Sequence, residues 1–281
     1  MRFRIAAVSF LNTVPLIDWF STPGSADVAL VRALPSRLAP LLEAGEADVA
    51  LLPVVELFRG RAAGIIPGSG IACRGPVDTV KLYYNGDLAT LRKIHVDRGS
   101  RTSVALLKVL LAERYGYEPP CEEFEPRADM VPAPGEGHLV IGDRCFEYEA
   151  PGSKSATAGL AIWDLGEAWL ELTDLPFVFA IWCASGDLQP RVGAAGIAEL
   201  TGILLQARQY GQANLGSIAA REAKSYARFD DSRANRDALL YYFQQSLRFE
   251  IGAEEMAGLH HFHQLCIKHG LVPRGPAPVV L

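Results

Sequence analysis

Residues 3–16 read FRIAAVSFLNTVPL, an apolar run followed at once by a turn rich in hydroxyl and amide side chains. The spacing predicts a buried strand over Phe3–Val8 and a helix start at Asn12–Thr13, with Pro15 in the first helical turn. The same succession recurs further along, where a strand over Ile94–Asp97 precedes a second helix start at Ser100–Ser103. Strand–helix units of this kind indicate an α/β protein with mostly parallel sheets.

The rest of the chain extends this pattern and then changes it. Further strands are predicted at Asp27–Leu34, Asp48–Pro53, Ile71–Arg74, Val80–Tyr84, Leu139–Ile141 and Ala161–Leu165, and an extended run at Leu175–Trp182. From Gly196 to His269 the pattern is almost purely helical, with breaks near Gly216, Phe229–Asp231 and Gly252. This order predicts one lobe formed by residues 1–85 and 179–281, interrupted by a second lobe of residues 86–178. Crossings near 84–87 and 176–180 would leave a hinged cleft between the lobes.

Composition excludes several classes of function. Of the 281 residues 49% are apolar and the net charge is −5, which gives no electrostatic reason to expect a nucleic-acid partner. No run of about 18 apolar residues predicts a membrane span, and the apolar stretch after Arg4 is too short for a signal peptide. The five cysteines are widely spaced and form no CxxC pair, which is typical of reduced thiols. We therefore expect a cytoplasmic protein.

The two helix starts are the candidate binding residues. In open α/β sheets ligands bind at the carboxyl ends of strands, where helix N-termini offer free N–H groups to carboxylates or phosphates. The polar side chains available there are Ser9, Asn12, Thr13, Ser100, Thr102 and Ser103, with the flexible Gly99 beside the second set. Ordinary helix capping is the alternative interpretation of either turn. One such turn in each lobe favours a small organic acid held across the cleft.

The same segments carry a family resemblance. Ser9–Leu16 resembles the SYLNTxPL opening of the chorismate dehydratases of the futalosine route to menaquinone, with Phe10 in place of Tyr. Six further stretches agree in order and spacing, and these are Pro35–Glu56, Ile71–Val77, Ser100–Leu106, Leu139–Asp143, Asp164–Trp169 and Leu175–Trp182. The resemblance covers roughly residues 3–185 well and the helical tail loosely.

The resemblance implies a fold, an activity and a set of roles. The fold would be a two-lobed, type II periplasmic-binding-protein-like α/β fold with a cleft between the lobes and a helical C-terminal segment. The activity would be that of a hydro-lyase without cofactor or metal, which removes water from chorismate to give 3-[(1-carboxyvinyl)oxy]benzoate as the ring becomes aromatic. The family is thought to use the substrate's enolpyruvyl carboxylate as the base.

The implied site residues follow from the matching positions. Asn12 would be the catalytic residue that orients the leaving hydroxyl or a carboxylate. The hydroxyls and N–H groups at the start of the second helix would hold the other carboxylate. The substrate-binding candidates are Ser9, Thr13, Thr79, Ser100, Thr102, Ser103 and Gly142, the last allowing close backbone approach.

The sequence departs from the family pattern at a few places, which keep alternatives open. Val14 stands where Arg is common, Tyr84 where small polar residues are usual, and Arg98-Gly99 where Ser or Thr is usual. Arg98 or Arg144 could replace the lost cation or be a surface residue. The alternative functions are a non-catalytic solute-binding module for a small carboxylate and the related dihydroxynaphthoate-forming enzyme of the pathway. We expect a monomer or homodimer.

Overall fold

A computed structural model describes residues 2–25, 28–150, 153–225 and 233–281 of the chain. Within these ranges the chain forms two β-sheets flanked by helices, as the α/β fold class predicts. The helices are α1 (Val14–Ile17), α2 (Pro35–Glu43), α3 (Val54–Phe58), α4 (Thr102–Tyr115), α5 (Arg144–Glu149), α6 (Lys154–Thr157), α7 (Leu165–Thr173), α8 (Leu188–Ala213), α9 (Leu215–Ser225), α10 (Arg233–Tyr241) and α11 (Ala253–Lys268).

The first sheet has six strands. They are β1 (Phe3–Ala7), β2 (Val28–Arg32), β3 (Val49–Pro53), β4 (Gly64–Cys73), β10 (Phe177–Ala184) and β11 (Arg248–Ile251), in the spatial order β11-β4-β10-β3-β1-β2. The pairs β1–β2 and β1–β3 are parallel, whereas β10 is antiparallel to both β3 and β4, and β11 is antiparallel to β4.

The second sheet has five strands, which the chain forms in one continuous stretch. They are β5 (Val80–Asn85), β6 (Lys93–Asp97), β7 (Cys121–Phe124), β8 (Glu136–Ile141) and β9 (Ala161–Asp164), in the order β7-β6-β8-β5-β9. The β6–β7 and β6–β8 pairs are parallel, and β5 is antiparallel to β8 and β9.

The prediction of mostly parallel sheets is therefore wrong, and the two crossings explain why. The chain leaves the first sheet after Cys73 and begins β5 at Val80, beside the point where β8 ends at Ile141. A strand that starts at this edge must run opposite to the strands that end there. The same reasoning applies to β10, which returns from the second sheet and runs against β3 and β4.

The changes of sheet do not coincide with the predicted lobe boundaries at 85/86 and 178/179. Because β5 pairs with β8 and β9, residues 80–85 belong to the second sheet, and the first crossing is at residues 74–79. The second crossing is α7 and the residues after it, up to Phe177. The apolar character of β5 showed that it was a strand but carried no information about its sheet. The division into two lobes otherwise stays a prediction.

The two crossings are joined by one buried carboxylate. Asp164 accepts hydrogen bonds from the backbone N–H groups of Val77 (3.1 Å) and Asp78 (2.8 Å) on the first crossing. It also caps α7 by accepting from Gly166 (2.9 Å) and Glu167 (3.2 Å). One side chain thus satisfies four backbone donors, so the start and the end of the second-sheet segment are held together.

The C-terminal segment is less uniformly helical than the pattern predicts. Arg248–Ile251 forms the edge strand β11, and Tyr242–Ser246 forms a π-helical turn. The alternation of exposed and buried residues in β11 is a period of two, which a four-residue stretch among helices displays only weakly. The predicted break at Gly252 coincides with the start of α11, and the break predicted at 229–231 lies outside the described residues.

The long C-terminal helices pack closely on the rest of the chain. In α11, Phe262 contacts Phe177 of β10, with ring centroids 4.8 Å apart, and Trp169 of α7 at 5.7 Å. At the end of α11, Lys268 and His269 pair with Glu113 of α4, at 2.6 and 2.5 Å. The tail therefore contacts β10 of the first sheet and the helices α4 and α7. No helix in the described ranges is long and apolar enough to cross a membrane.

A buried imidazole in the second sheet leads to a prediction about pH. His138 is 6% exposed, its Nδ1 lies 3.2 Å from the Tyr148 hydroxyl, and burial together with nearby His95 lowers its pKa to about 4, against the raising effect of Glu136. His138 takes up a proton near pH 6.5 in the unfolded chain and only near pH 4 in the folded chain, so the stability that the neutral imidazole contributes is present above pH 6.5 and is lost as the pH falls to about 4.

We expect His138→Gln to flatten this slope when the melting temperature is followed from pH 7 to pH 4. His261→Gln, at a partly exposed position of α11, is the matched control and should retain the wild-type slope. Equal slopes in wild type and His138→Gln would contradict the prediction.

Candidate functional site

A cavity of about 90 Å³ is lined by residues of both sheets. Val8 after β1, Pro53 at the end of β3, Gly99 after β6 and Ile141 at the end of β8 all contribute to its wall. These are carboxyl ends of strands, where open α/β sheets bind their ligands. The remaining wall is mostly apolar, formed by residues such as Leu51, Ile71, Val77, Val80 and Phe179.

The structure brings five of the eight sequence-predicted residues to this cavity. They are Asn12, Thr79, Thr102, Ser103 and Gly142, which come from segments far apart in the sequence. The other three do not line it. Ser9 is exposed to solvent, Thr13 is fully buried, and Ser100 is buried with no hydrogen-bond partner for its Oγ in the described ranges. Whether the five bind a substrate stays a prediction.

Asn12 lies in a 3₁₀ turn, Leu11–Thr13, rather than at the cap of a regular helix. Thr13 is the N-cap residue of α1 but makes no side-chain capping bond, and Pro15 occupies the first turn of the helix. The Thr13 hydroxyl donates to Asn12 Oδ1 (3.2 Å), which leaves the Asn12 Nδ2 group without a partner among the described residues. Thr13 therefore orients the amide, and Asn12 offers a free donor at the cavity wall.

The turn that carries Asn12 is attached to the second sheet. The Leu11 N–H donates to Asp143 Oδ1 at 3.2 Å, immediately after β8. A second contact joins α3 to the start of α4, where the Val55 N–H lies 3.5 Å from Thr102 Oγ1. These two bonds connect segments that follow strands of the first sheet to segments that follow strands of the second.

The start of α4 supplies unused donors. The cap residue Arg101 makes no side-chain capping bond, and the first turn holds no acidic residue. The N–H groups in the first turn of this 14-residue helix, and the positive end of the helix dipole, are therefore available to a ligand. Thr102 and Ser103 also line the cavity. Capping, the alternative interpretation of this turn, does not account for its hydroxyls.

Arg101 is a cavity residue that the sequence did not single out. It lines the wall, and no ion pair of its guanidinium occurs within the part of the chain that the structure describes. A cation beside the positive end of a helix is unfavourable unless an anion joins it. The only sequence signal was its place between two hydroxyl residues in the Ser100–Ser103 stretch.

The two arginines considered from the sequence as replacement cations do not line this cavity. Arg98 is 77% exposed and lies 3.7 Å from Glu123. Arg144 donates to both carboxylate oxygens of Asp97 at 3.1 Å, and Asp97 also accepts the Gly99 N–H. Burial raises the pKa of Asp97, whereas the Gly99 N–H and Arg144 favour its charged form. Asp97 thus supports the turn before α4.

Of the other departures from the family pattern, Gly99 lines the cavity, whereas Val14 and Tyr84 do not. Val14 is buried in α1, and Tyr84 pairs with Ala161 and Gly137 at the end of β5 remote from Val80. Neither changes the lining of the cavity.

Gly142 lines the cavity, and its backbone conformation gives a reason for glycine at this position. Its φ is +62°, a conformation that favours glycine, and its N–H donates to the Thr79 carbonyl at 2.7 Å. A Cβ there would lie 3.9 Å from the Phe10 ring, an ordinary contact distance. The backbone conformation by itself favours glycine at this position, and the close approach of a ligand stays a prediction.

The C-terminal histidines are packed imidazoles. His263 lies 4.6 Å from the Phe58 ring and His261 lies 5.8 Å from Trp169, measured between centroids, while His269 binds Glu113. In the described ranges no group of three or more His, Cys, Asp or Glu residues could hold a metal ion.

Two sheets linked by two crossings, with a cavity between them, define a protein of the periplasmic-binding-protein fold class. A solved protein from Archaeoglobus fulgidus matches with a TM-score of 0.69 at 15% identity, covering 96% of this chain and 98% of that one. The periplasmic aliphatic sulphonate-binding protein of Escherichia coli matches with a TM-score of 0.60 at 17% identity, covering 99% and 93%. At these identities the likeness shows the fold, and it confirms the predicted fold class.

The chain belongs to the menaquinone biosynthesis family, whose sequence profile matches residues 3–268. The chorismate dehydratase of Thermus thermophilus is 28% identical to it over 264 residues, which cover 90% of this chain and 91% of the relative. The family resemblance carried by the Ser9–Leu16 motif is confirmed.

Proposed function

We propose that the protein is a chorismate dehydratase, a hydro-lyase that converts chorismate to 3-[(1-carboxyvinyl)oxy]benzoate and water. The observation that carries the proposal is the match to a chorismate dehydratase over 90% of the chain, within the menaquinone biosynthesis family. The cavity supports it because unused donors from two segments converge there, and chorismate carries two carboxylates.

The chemistry needs little from the protein. The ring carbon that bears the enolpyruvyl ether loses its proton, the neighbouring carbon loses its hydroxyl, and the two leave as water while the ring becomes aromatic. Orientation and modest charge stabilisation are then sufficient. Among the described residues no carboxylate, imidazole, thiol or phenol lines the cavity. This favours a base supplied by the substrate's own enolpyruvyl carboxylate.

The roles of the wall residues follow from their free donors. The Asn12 Nδ2 group would bind the leaving hydroxyl or the carboxylate next to it. The helix start at Thr102 and Ser103, with Arg101 beside it, would bind the other carboxylate. Thr79 would add a hydroxyl from the first crossing. Ser9, Thr13 and Ser100 would act only through neighbouring residues.

Incubation of the purified protein with chorismate tests the proposal. Loss of the diene absorbance, together with a new aromatic product identified by mass, is the expected result. Binding of chorismate without turnover would instead support the solute-binding alternative. If the protein neither binds nor converts chorismate, chorismate is excluded as the ligand.

Arg101 provides a charge test of the same proposal. We expect Arg101→Gln to raise KM for chorismate about tenfold with a smaller change in kcat, because it removes a charge-assisted contact to a carboxylate present in both ground and transition states. Arg127→Gln, which removes an exposed arginine that pairs with Asp129 and lines neither this cavity nor the adjoining one, is the matched control and should leave KM unchanged. Equal KM values for both variants would remove Arg101 from the binding site.

The compartment and the assembly are part of the proposal. The five cysteines are free, and four of them are buried far from one another in the sequence. This supports a reducing compartment, which we take to be the cytoplasm. A monomer or homodimer would act on a freely diffusing small molecule.

A further inference from the structure

Tyr242 connects the C-terminal segment to the cavity wall. It begins the π-helical turn Tyr242–Ser246, and its phenol oxygen lies 2.7 Å from Thr79 Oγ1. Both residues are buried, with exposures of 2% and 1%. The ring is packed edge-on against Phe146, with centroids 5.4 Å apart, and at a tilt against Phe243, with centroids 5.6 Å apart. No step of the proposed reaction uses Tyr242, and π-helical turns are frequent at functional sites.

The direction of this hydrogen bond follows from counting donors and acceptors. The Tyr242 hydroxyl has no other acceptor among the described residues, so a proton pointing elsewhere would be buried and unpaired. Tyr242 therefore donates and Thr79 Oγ1 accepts. The pKa of Tyr242 lies well above its ordinary value because the phenol is buried, despite the opposing bond to Thr79, so it keeps this proton.

The Thr79 proton is then left for a different acceptor. The only acceptor among the described residues is the Val77 carbonyl at 3.4 Å, which is long for a hydroxyl donor. Since Thr79 lines the cavity, an oxygen atom of a ligand there is the better acceptor.

We propose that Tyr242 is a positioning residue. By donating its own proton to Thr79 Oγ1, it leaves the Thr79 proton for the ligand and orients the Thr79 hydroxyl as a hydrogen-bond donor. The proposal rests on the proposed function for the identity of that ligand. It assigns a part in substrate recognition to the C-terminal segment. It also sets the direction of the hydrogen bond to the ligand, since Thr79 would donate and would select a ligand oxygen with a free lone pair.

A merely structural role for the same turn has its own signature. Ser246, at the other end of the turn, donates to Asp78 Oδ2 at 2.5 Å, on the residue next to Thr79. Both bonds fasten the turn to the first crossing, but Asp78 does not line the cavity. If the turn only fastens the crossing, removal of either bond should have the same consequence.

The experiment compares Tyr242→Phe, Thr79→Val and the double variant with wild type in the chorismate assay. Tyr242→Phe keeps the ring contacts and removes only the hydroxyl, and we expect kcat/KM to fall about tenfold. Thr79→Val should cost at least as much, and the double variant should be no worse than Thr79→Val, because no hydroxyl remains to be oriented. Thr79→Ser should retain most of the activity.

Ser246→Ala is the matched control, with thermal unfolding measured for every variant. We expect it to lower the melting temperature about as much as Tyr242→Phe while kcat/KM stays near the wild-type value. Equal losses of kcat/KM in Ser246→Ala and Tyr242→Phe would overturn the positioning role, as would strictly additive effects in the double variant.

The proposed function and the positioning role of Tyr242 can be tested separately. If wild type neither binds nor converts chorismate, the dehydratase proposal falls. High-resolution crystal structures of wild type and Tyr242→Phe then decide the positioning role. A changed Thr79 side-chain torsion in Tyr242→Phe would support it, and an unchanged torsion would overturn it.

Discussion

Asn12→Ala is expected to lower kcat for chorismate about 100-fold while leaving the melting temperature within a few degrees of wild type. The Asn12 amide is oriented by Thr13 and makes no other side-chain hydrogen bond in the described ranges. Its removal therefore leaves only the Thr13 hydroxyl without its partner. A preorganised donor aimed at a developing charge has effects of this size when it is removed. Initial rates with saturating chorismate measure kcat, and a thermal melt measures folding.

Asn85→Ala is the matched control for this result. Asn85 is also partly buried, but it ends β5 at the opposite end from the cavity residue Val80. Five residues of extended strand separate the two by roughly 16 Å. Full activity in Asn85→Ala with a large loss in Asn12→Ala would support the assigned role. Unchanged turnover in Asn12→Ala would remove Asn12 from the site.

Gly211→Ala is expected to have the largest effect on stability, a loss of about 3 kcal/mol in the free energy of unfolding. Gly211 lies in α8 against α1, where an added Cβ would stand 1.7 Å from the carbonyl oxygen of Pro15. Backbone on both sides prevents a local adjustment, so the helices must separate. Urea unfolding followed by circular dichroism measures the change. Because Pro15 follows the Asn12 turn closely, activity should fall as well.

Gly202→Ala in the same helix provides the contrast. Gly202 is exposed, and an added Cβ would meet no atom within 4 Å. Here the gain in helix propensity acts alone, and we expect a stabilisation of about 0.5–1 kcal/mol. A similar loss in both variants would mean that the contact between α8 and α1 is not the cause.

Local sequence patterns predicted the elements that the chain forms by itself. The strand over Phe3–Val8, the strand before Gly99 and the helix from Thr102 all appear close to their predicted bounds. The fold class and the family followed from motifs in sequence order, and both are confirmed. Cavity residues such as Asn12 and Ser103 were also found locally, since each lies just after a strand end.

The sequence did not reveal what depends on contacts between distant segments. Whether β5 joins the first or the second sheet depends on where the chain crosses, and its apolar residues suit either sheet. Tyr242 is 163 residues from Thr79 and lies in a segment without motif character. Ser9 and Ser100 share the residue type of true cavity residues, and only the backbone path turns them away from the wall. Arg101 was missed because a charged residue in a loop is ordinarily solvated.

The paired crossings, held together by the Asp164 carboxylate, have a consequence for how such proteins diversify. Because residues 80–164 leave and rejoin the first sheet at neighbouring points, they form a cassette that recombination could exchange between relatives without lengthening any connection. Such an exchange would replace Thr102, Ser103 and Gly142 in one event while Asn12 stayed in place. Chimeras joined at these two points could therefore acquire new ligand preferences by inheriting half a binding site at once.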